Sequence, residues 1–257
     1  PRRRTAGWPN MNIAVPAALF GWIPFILFLF SVLSARRAVI AAFIIAWLFL
    51  PNIEYVIGGL PNYSKVSATS AGVLLATLLF NPSQFLRYRP HWADLPMLVW
   101  CLVPFASSTA NGLGAYDGVS AIVTRFVIWG IAYFIGRIYF TDWAALRELG
   151  IGIVLGGLVY MPLCLYEIRM SPQLHNMVYG YGMAWHNVRR GGGWRPTVFM
   201  KDGLMLGMWM SMTALVAVWL WRSGTIRRLW RVSFGWLALG LAVTAVLCKS
   251  TGATALL

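Results

Sequence analysis

Long apolar runs, separated by short polar segments, constrain this chain more than any other feature of its sequence. A helix needs about 20 mainly apolar residues to cross the hydrocarbon core of a bilayer. The runs lie near residues 12–33, 38–51, 66–80, 94–110, 119–139, 146–166, 202–221 and 232–248. The second and third are short and would need tilt or local thinning of the bilayer to cross. We therefore predict an all-α fold, a polytopic transmembrane helical bundle of about eight spans plus the start of a ninth.

The sequence indicates a single integral-membrane domain over residues 1–257. Its residues are 59% hydrophobic and only 11% charged, and it contains no soluble domain, low-complexity tract or short internal repeat. The chain starts at Pro1, and "CKSTGATALL" at its end resembles the beginning of another apolar segment. We therefore expect an N-terminal part of a longer protein.

Most of the net charge of +14 comes from cations that lie between the apolar runs. In a soluble domain this charge would suggest nucleic acid, but in a membrane protein it reports topology, because Lys and Arg concentrate in cytoplasmic loops. We therefore expect no nucleic-acid partner. The loops that we predict to be cytoplasmic contain Arg36, Arg37, Arg87, Arg89, Arg137, Arg147, Arg222, Arg227, Arg228 and Arg231.

Two basic segments disagree with this orientation. Residues 2–4, all arginine, would lie outside, and so would the segment 189–203, "RRGGGWRPTVFMKDG". The first disagreement is explained by a missing upstream segment or by a re-entrant first span, since Pro16 and Pro24 interrupt that run. The second works against the insertion bias and favours a function, with headgroup anchoring by the arginines as the alternative.

The chemistry of the segment 189–203 suits a phosphate. Its three consecutive glycines let backbone N–H groups approach a ligand, and its arginines offer planar pairs of hydrogen-bond donors. The next span begins near Asp202, so the positive end of its helix dipole faces the same volume. The predicted phosphate- or pyrophosphate-binding residues are Arg195, Arg189, Arg190, Lys201, Gly191, Gly192 and Gly193.

Polar and aromatic residues elsewhere in the expected outer loop, 167–201, add candidate site residues. Side chains able to accept a proton make the candidate catalytic residues Glu167, His175 and His186. Rings suited to a sugar make Tyr179, Tyr181 and Trp185 candidate sugar-binding residues. Outside this loop, polar groups of the segment "NGLGAYDG" add the candidate sugar-binding residues Asn111 and Asp117. Structural alternatives remain open: Glu167 pairs with Arg169 or a neighbouring helix, the histidines are surface residues, the aromatic residues form an interfacial belt, and the glycines around Asp117 form a tight turn.

We expect neither a metal nor a cofactor, because His, Cys and carboxylate residues show no ligand spacing. The three cysteines lie inside apolar runs, as small buried hydrophobic residues do: Cys101, Cys164 and Cys248.

Five segments carry a resemblance to a known family, which covers most of the chain from about Arg36 onward: "DLPMLVWCLVPFASSTANGLGAYDGVSA", "GRIYF", "GGLVYMPLCLYEIRMSPQLHNMVYG", "RPTVFMKDGLMLGMWM" and "CKSTGA". They resemble a bacterial branch of the O-antigen ligase and polymerase-like superfamily of membrane proteins. In that superfamily an arginine and a small turn precede an apolar span, and Arg195, Phe199 and Gly203 are similar to this pattern. The chain departs from the pattern at Lys201 and Asp202, where a nearby histidine is expected.

The resemblance implies a metal-independent membrane glycosyltransferase of the bacterial inner membrane. Such enzymes take a glycan from an undecaprenyl-pyrophosphate carrier at the periplasmic face and pass it to a hydroxyl of a glycan, lipid or protein acceptor. The implied partners are membrane lipids, the lipid-linked glycan and the acceptor. The superfamily places a catalytic histidine in a large outer loop nearer the C-terminus, which would lie beyond Leu257.

Two other function classes remain open. A transporter or flippase of lipid-linked glycan would need ionisable groups within the bundle, where Arg125 is nearly alone. That arginine either snorkels to the interface or pairs with Asp117. A non-catalytic membrane scaffold would be favoured if no outer-loop base followed the chain.

Overall fold

The computed structural model describes residues 12–57, 61–182, 189–190, 192–229, 232–250 and 252. The protein is 74% helical, in agreement with the predicted all-α class. The helices are α1 Ala14–Phe20, α2 Trp22–Val32, α3 Ala35–Phe49, α4 Lys65–Phe80, α5 Ser83–Arg87, α6 Leu95–Ala110, α7 Ala115–Arg125, α8 Ile131–Tyr139, α9 Trp143–Met170, α10 Leu174–Tyr179, α11 Gly203–Arg222 and α12 Phe234–Leu247. A 3₁₀ turn, Trp92–Asp94, leads into α6, and a π-helical turn, Phe126–Gly130, joins α7 to α8.

Three short antiparallel hairpins complete the described structure. Their strands are β1 Glu54–Tyr55 with β2 Tyr63–Ser64, β3 Arg189–Arg190 with β4 Gly193–Trp194, and β5 Arg228–Leu229 with β6 Val232–Ser233. The second hairpin lies inside the basic segment, with Arg189 opposite Trp194 and Arg190 opposite Gly193. The expected outer loop 167–201 is therefore partly regular, since it also contains the end of α9 and all of α10.

Within the described residues, four continuous helical segments are long and apolar enough to cross a membrane: Trp92–Ala110, Ala115–Tyr139, Trp143–Met170 and Gly203–Arg222. The pair α1 and α2, bent by 47°, makes a fifth if it counts as one span. Two further apolar helices, α4 and α12, are shorter, with 16 and 14 residues. These helices identify a membrane protein, and the number of eight spans stays a prediction.

The chain divides into two compact units. The first comprises the described parts of Pro1–Ala18, Leu48–Pro51 and Gly150–Leu257, and the second comprises those of Leu19–Trp47 and Asn52–Leu149. In the second unit, α2 packs on α4 so closely that a Cβ at Gly72 would lie 2.7 Å from the Ile26 side chain.

The first unit places α9 directly against α11. A Cβ at Gly157 would lie 2.7 Å from Cβ of Thr213, whose side chain is fully buried. At Gly150, two turns earlier, the nearest atom of α11 is 3.5 Å away, an ordinary contact. The close approach of these two helices positions the C-terminal end of α9 beside the polypeptide that leads into α11.

Candidate functional site

The last turns of α9 direct three side chains to one helix face. Tyr160, Cys164 and Glu167 are separated by four and three residues, a spacing that brings side chains together on one side of a helix. All three have 0% solvent exposure. A carboxylate buried at this depth needs hydrogen-bond partners to offset its desolvation.

Glu167 finds those partners in the backbone. Its Oε2 accepts hydrogen bonds from the N–H groups of Thr197 at 2.8 Å and Val198 at 2.7 Å, and its Oε1 accepts one from Leu174 at 3.1 Å. Hydrogen bonds to a charged acceptor are shorter and stronger than neutral ones. The carboxylate therefore ties α9 to the start of α10 and to the segment before α11. These contacts make Glu167 a positioning residue, and its role as a proton acceptor stays a prediction.

The segment held by Glu167 is a buried turn. Val198 has a φ of 52°, a left-handed backbone conformation that is rare for a β-branched residue. The next N–H, of Phe199, donates to the hydroxyl of Tyr160 at 3.2 Å. Such a strained conformation persists only when its surroundings fix it, and the two side chains of α9 supply the fixing contacts here.

Arg195 stands at the start of this turn and is only 7% exposed. Its side chain lies across Gly203, the first residue of α11, where a Cβ would be 2.6 Å from the Arg195 Nε. Asp202 is the N-cap of α11, since its Oδ1 accepts from Met205 N at 2.8 Å, which confirms the predicted helix start. The guanidinium and the positive end of the helix dipole therefore favour the same kind of ligand, an anion.

Two further cations contact the hairpin of β3 and β4, at adjacent residues. The Arg189 guanidinium carbon lies 4.6 Å from the centroid of the Trp194 ring, a cation–π contact. Gly193 has no Cβ, and the Lys249 Nζ lies close to the place where one would be. Because Gly193 precedes Arg195 by only two residues, one short stretch of chain carries contacts to all three cations. We call Arg189, Arg195 and Lys249 the cationic cluster.

Lys249 was not among the predicted site residues. It lies 55 residues from the hairpin in sequence, and only the packing of the first unit brings it there. The available signal was a cation directly after an apolar run, inside the "CKSTGA" segment that carries part of the family resemblance.

His175 and Tyr179 lie in a buried aromatic cluster. His175 is 3% exposed, its ring centroid lies 4.4 Å from that of Tyr181, and its Nδ1 is 3.0 Å from the Tyr181 carbonyl. The Tyr179 hydroxyl donates to the Phe49 carbonyl at 2.6 Å, and burial raises the pKa of Tyr179 to about 12. The fold thus brings these three predicted residues together, while their catalytic and sugar-binding roles stay predictions.

The remaining predicted residues are distributed as follows. Lys201 is exposed just before α11, and Gly192 has a φ of 71° in the hairpin turn. Asn111 and Asp117 belong to the second unit, where both are exposed: Asn111 caps the end of α6 and Asp117 lies in the first turn of α7. Three predicted residues lie outside the described part of the chain: Trp185, His186 and Gly191. For Arg190 only the backbone is described.

Arg125 does not require a carboxylate partner. Its guanidinium carbon lies 5.2 Å from the centroid of the Trp100 ring on α6. A cation–π contact of this kind satisfies a cation near the membrane, so the structure favours an aromatic partner over the alternative of pairing with Asp117.

Among the residues that the structure describes, no three His, Cys, Asp or Glu side chains lie close enough together to hold a metal ion.

No family model matches this chain, and neither a curated protein nor a solved structure does. Fold and site together therefore define a class: a helical membrane protein with a cationic cluster at the N-terminal end of a long apolar helix.

Proposed function

We propose that this protein is a membrane glycosyltransferase of the O-antigen ligase or polymerase type. It works at the periplasmic face of the bacterial inner membrane, with the eight spans predicted from the sequence and a ninth that begins after residue 248. The observation that carries the proposal is the placement of Arg195 against Gly203 at the start of α11, with Lys249 and Arg189 on the adjoining hairpin. This arrangement suits a pyrophosphate, the leaving group that the family resemblance implies.

In the proposed reaction an acceptor hydroxyl attacks the anomeric carbon of the donor glycan. A new C–O bond forms, the bond to the pyrophosphate oxygen breaks, and the electron pair leaves with undecaprenyl pyrophosphate. The cationic cluster stabilises the negative charge that grows on the leaving group, which lowers the barrier. The acceptor proton passes to a base, for which the candidates among the predicted histidines are His175 and His186.

In this proposal Glu167 acts indirectly, by positioning Arg195. Its carboxylate holds the N–H groups of Thr197 and Val198, and thereby fixes the backbone two residues after Arg195. The arginine is preorganised for the transition state rather than recruited by the ligand, which is the arrangement that makes electrostatic stabilisation effective.

A divalent metal is not part of the proposed chemistry. Mg²⁺ and similar ions commonly neutralise a departing pyrophosphate, and fixed arginine and lysine side chains take that role here. We expect transfer to continue in the presence of a chelator.

The test uses the purified full-length protein in liposomes, with a defined undecaprenyl-pyrophosphate glycan as donor and a glycan or lipid acceptor. We expect product formation that resists EDTA and is lost in Arg195→Ala. Arg222→Ala, at the exposed end of the same helix α11, is the matched control and should retain activity. Movement of donor across the bilayer without transfer would instead identify a flippase, and the absence of both activities would favour a scaffold.

A further inference from the structure

The second unit, which comprises Leu19–Trp47 and Asn52–Leu149, contains two adjoining cavities. One, of about 620 Å³, is the apolar cavity, and its walls include Leu95, Met97, Leu98, Cys101, Phe126 and Phe134. The other, of about 600 Å³, is the polar cavity, and its walls include Arg36, Gln84, Arg89, Arg137, Thr141 and Glu148. Tyr88 lines both, so the two cavities adjoin.

A hydrogen-bonded group fixes the boundary between the cavities. Asp94 accepts hydrogen bonds from the hydroxyls of Tyr133 at 2.6 Å and Tyr88 at 2.9 Å, and from Nε of Arg137 at 2.9 Å. The same carboxylate caps the backbone N–H of His91 at 2.7 Å. With four donors on one carboxylate, this group is a rigid feature beside the junction of the two cavities.

One arginine of the polar cavity is available to bind a ligand. Arg36 pairs with Asp142 at 2.6 Å, and Arg137 pairs with Asp94. Arg89 is exposed, and the part of the chain that the structure describes gives its guanidinium no carboxylate partner. The segments 34–37, 84–94 and 137–148 contain six arginines and three carboxylates, so this end of the unit has a net charge of +3. The cavity therefore favours an anion even though Glu148 opposes it.

The apolar cavity has the size and lining of a ligand site. Its volume falls within the range of about 300 to 1,000 Å³ that is typical of small-molecule pockets. Part of its wall is the π-helical turn Phe126–Gly130, a type of local structure that occurs frequently at functional sites. Apolar walls of this kind favour a hydrocarbon chain as the ligand.

We propose that the two cavities together bind one anionic phospholipid. Its phosphate headgroup lies against Arg89 in the polar cavity, and one acyl chain passes Tyr88 into the apolar cavity. The arginine-rich segments belong to the loops that we predict to be cytoplasmic, and basic pockets between membrane helices on that side are suited to anionic headgroups. The lipid is chosen over a free phosphate because a free anion would use only the polar cavity.

The test measures lipid binding to the full-length protein in detergent by native mass spectrometry, with phosphatidylglycerol and phosphatidylcholine of equal chain length. We expect retention of phosphatidylglycerol in preference to phosphatidylcholine. Arg89→Gln should weaken phosphatidylglycerol binding by about fivefold, the effect of one basic residue near an anionic membrane surface. Arg37→Gln removes the same charge from the arginine-rich segment 34–37, but Arg37 lies outside both cavity linings, so binding should be unchanged.

A second pair of variants tests the acyl chain. Leu98→Trp narrows the apolar cavity, whereas Leu102→Trp adds the same volume one turn later on α6, outside the lining. The two leucines are matched in exposure, at 54% and 55%. Only Leu98→Trp should weaken phosphatidylglycerol binding, and the melting temperatures of both variants should stay near that of the wild type.

Three outcomes would overturn the proposal. Equal loss in Arg89→Gln and Arg37→Gln would reduce the interaction to general attraction between lipid and protein. Binding unaffected by Leu98→Trp, together with displacement of the lipid by inorganic phosphate, would identify a free-phosphate site. Equal retention of phosphatidylglycerol and phosphatidylcholine would exclude recognition of the headgroup.

Discussion

The carboxylate of Glu167 and the backbone N–H of Val198 lie 2.7 Å apart, joined by a hydrogen bond that spans 31 residues of sequence. Val198 is held at a φ of 52°, and the turn it forms follows Arg195 directly. The buried acid on α9 therefore governs the position of the arginine that we propose to bind pyrophosphate.

We predict that Glu167→Ala strongly destabilises the protein. The change leaves three N–H groups without their acceptor, and each of the two buried ones, of Thr197 and Val198, costs about 1 to 3 kcal/mol. Glu167→Gln keeps one carbonyl oxygen and should lose less. Thermal unfolding of the full-length protein in detergent, followed by tryptophan fluorescence, measures the loss. Glu148→Gln on the same helix is the control, and a wild-type melting temperature for Glu167→Ala would contradict the positioning role.

The contact between α9 and α11 gives a second prediction. Gly157→Ala places a Cβ 2.7 Å from that of Thr213, so the helices must separate, and we expect a loss of about 1 to 3 kcal/mol from overpacking. Gly150→Ala meets the same helix at 3.5 Å and should be neutral or slightly stabilising, because alanine has the higher helix propensity. The same unfolding assay compares the two variants. Equal effects would show that the close approach at Gly157 is not limiting.

The buried hydroxyl of Tyr179 predicts a loss of stability in alkali. Its pKa is about 12 in the folded protein and about 10 in an unfolded chain, so the unfolded state releases the proton first. The stabilisation is complete below about pH 10 and is lost as pH rises toward 12. Melting temperatures between pH 9 and 12 should therefore fall more steeply for the wild type than for Tyr179→Phe. Parallel curves would contradict this origin.

The positions of the helices were largely predictable from the sequence. Apolar runs are long and their ends are marked by polar residues, so each predicted run overlaps a described helix. The run 202–221, for example, became α11 with Asp202 as its cap. Spans were harder to count than helices. The run 38–51 became α3, which has only 15 residues and begins with Arg36 and Arg37 in its first turn.

The first apolar run bends at a position that its prolines did not reveal. Pro16 and Pro24 were expected to interrupt it, but α1 and α2 meet at Gly21 with an angle of 47°. Pro24 lies in the first turn of α2, where a missing N–H leaves no helical hydrogen bond unmade. A helix start tolerates proline, so its presence alone did not locate the break.

The candidate site was predictable only where it is local. Arg195 and the start of α11 are eight residues apart, and a sequence pattern can relate them. The placement of Lys249 at the hairpin and the capture of Val198 by Glu167 depend on tertiary packing across 31 residues or more. No local pattern encodes such contacts, and for this reason the sequence did not predict that Glu167 anchors the backbone before α11.

The orientation of the chain is a further prediction, based on the arginine-rich loops. His186→Cys should react with an impermeant thiol reagent in intact cells, and Arg228→Cys should react only after the membrane is permeabilised. The background must lack the three native cysteines, which are buried: Cys101, Cys164 and Cys248. The reverse labelling pattern would overturn the proposed periplasmic location of the site.

The role of Arg195 as the principal pyrophosphate contact is the central claim, and the rate of glycan transfer by Arg195→Lys tests it most directly. Lysine keeps the charge but lacks the planar pair of donors that the contact with Gly203 holds in place. We predict a loss of about 1.5 to 3 kcal/mol, roughly tenfold to a hundredfold in rate, at matched expression.

Arg189→Lys is the matched comparison in the same assay. Arg189 is exposed and rests on Trp194, so its replacement should change the rate far less. Arg195→Ala should abolish transfer from the defined lipid-pyrophosphate donor. Transfer by Arg195→Ala at close to the wild-type rate would contradict the pyrophosphate-binding role of Arg195. It would favour the alternative that these arginines anchor lipid headgroups.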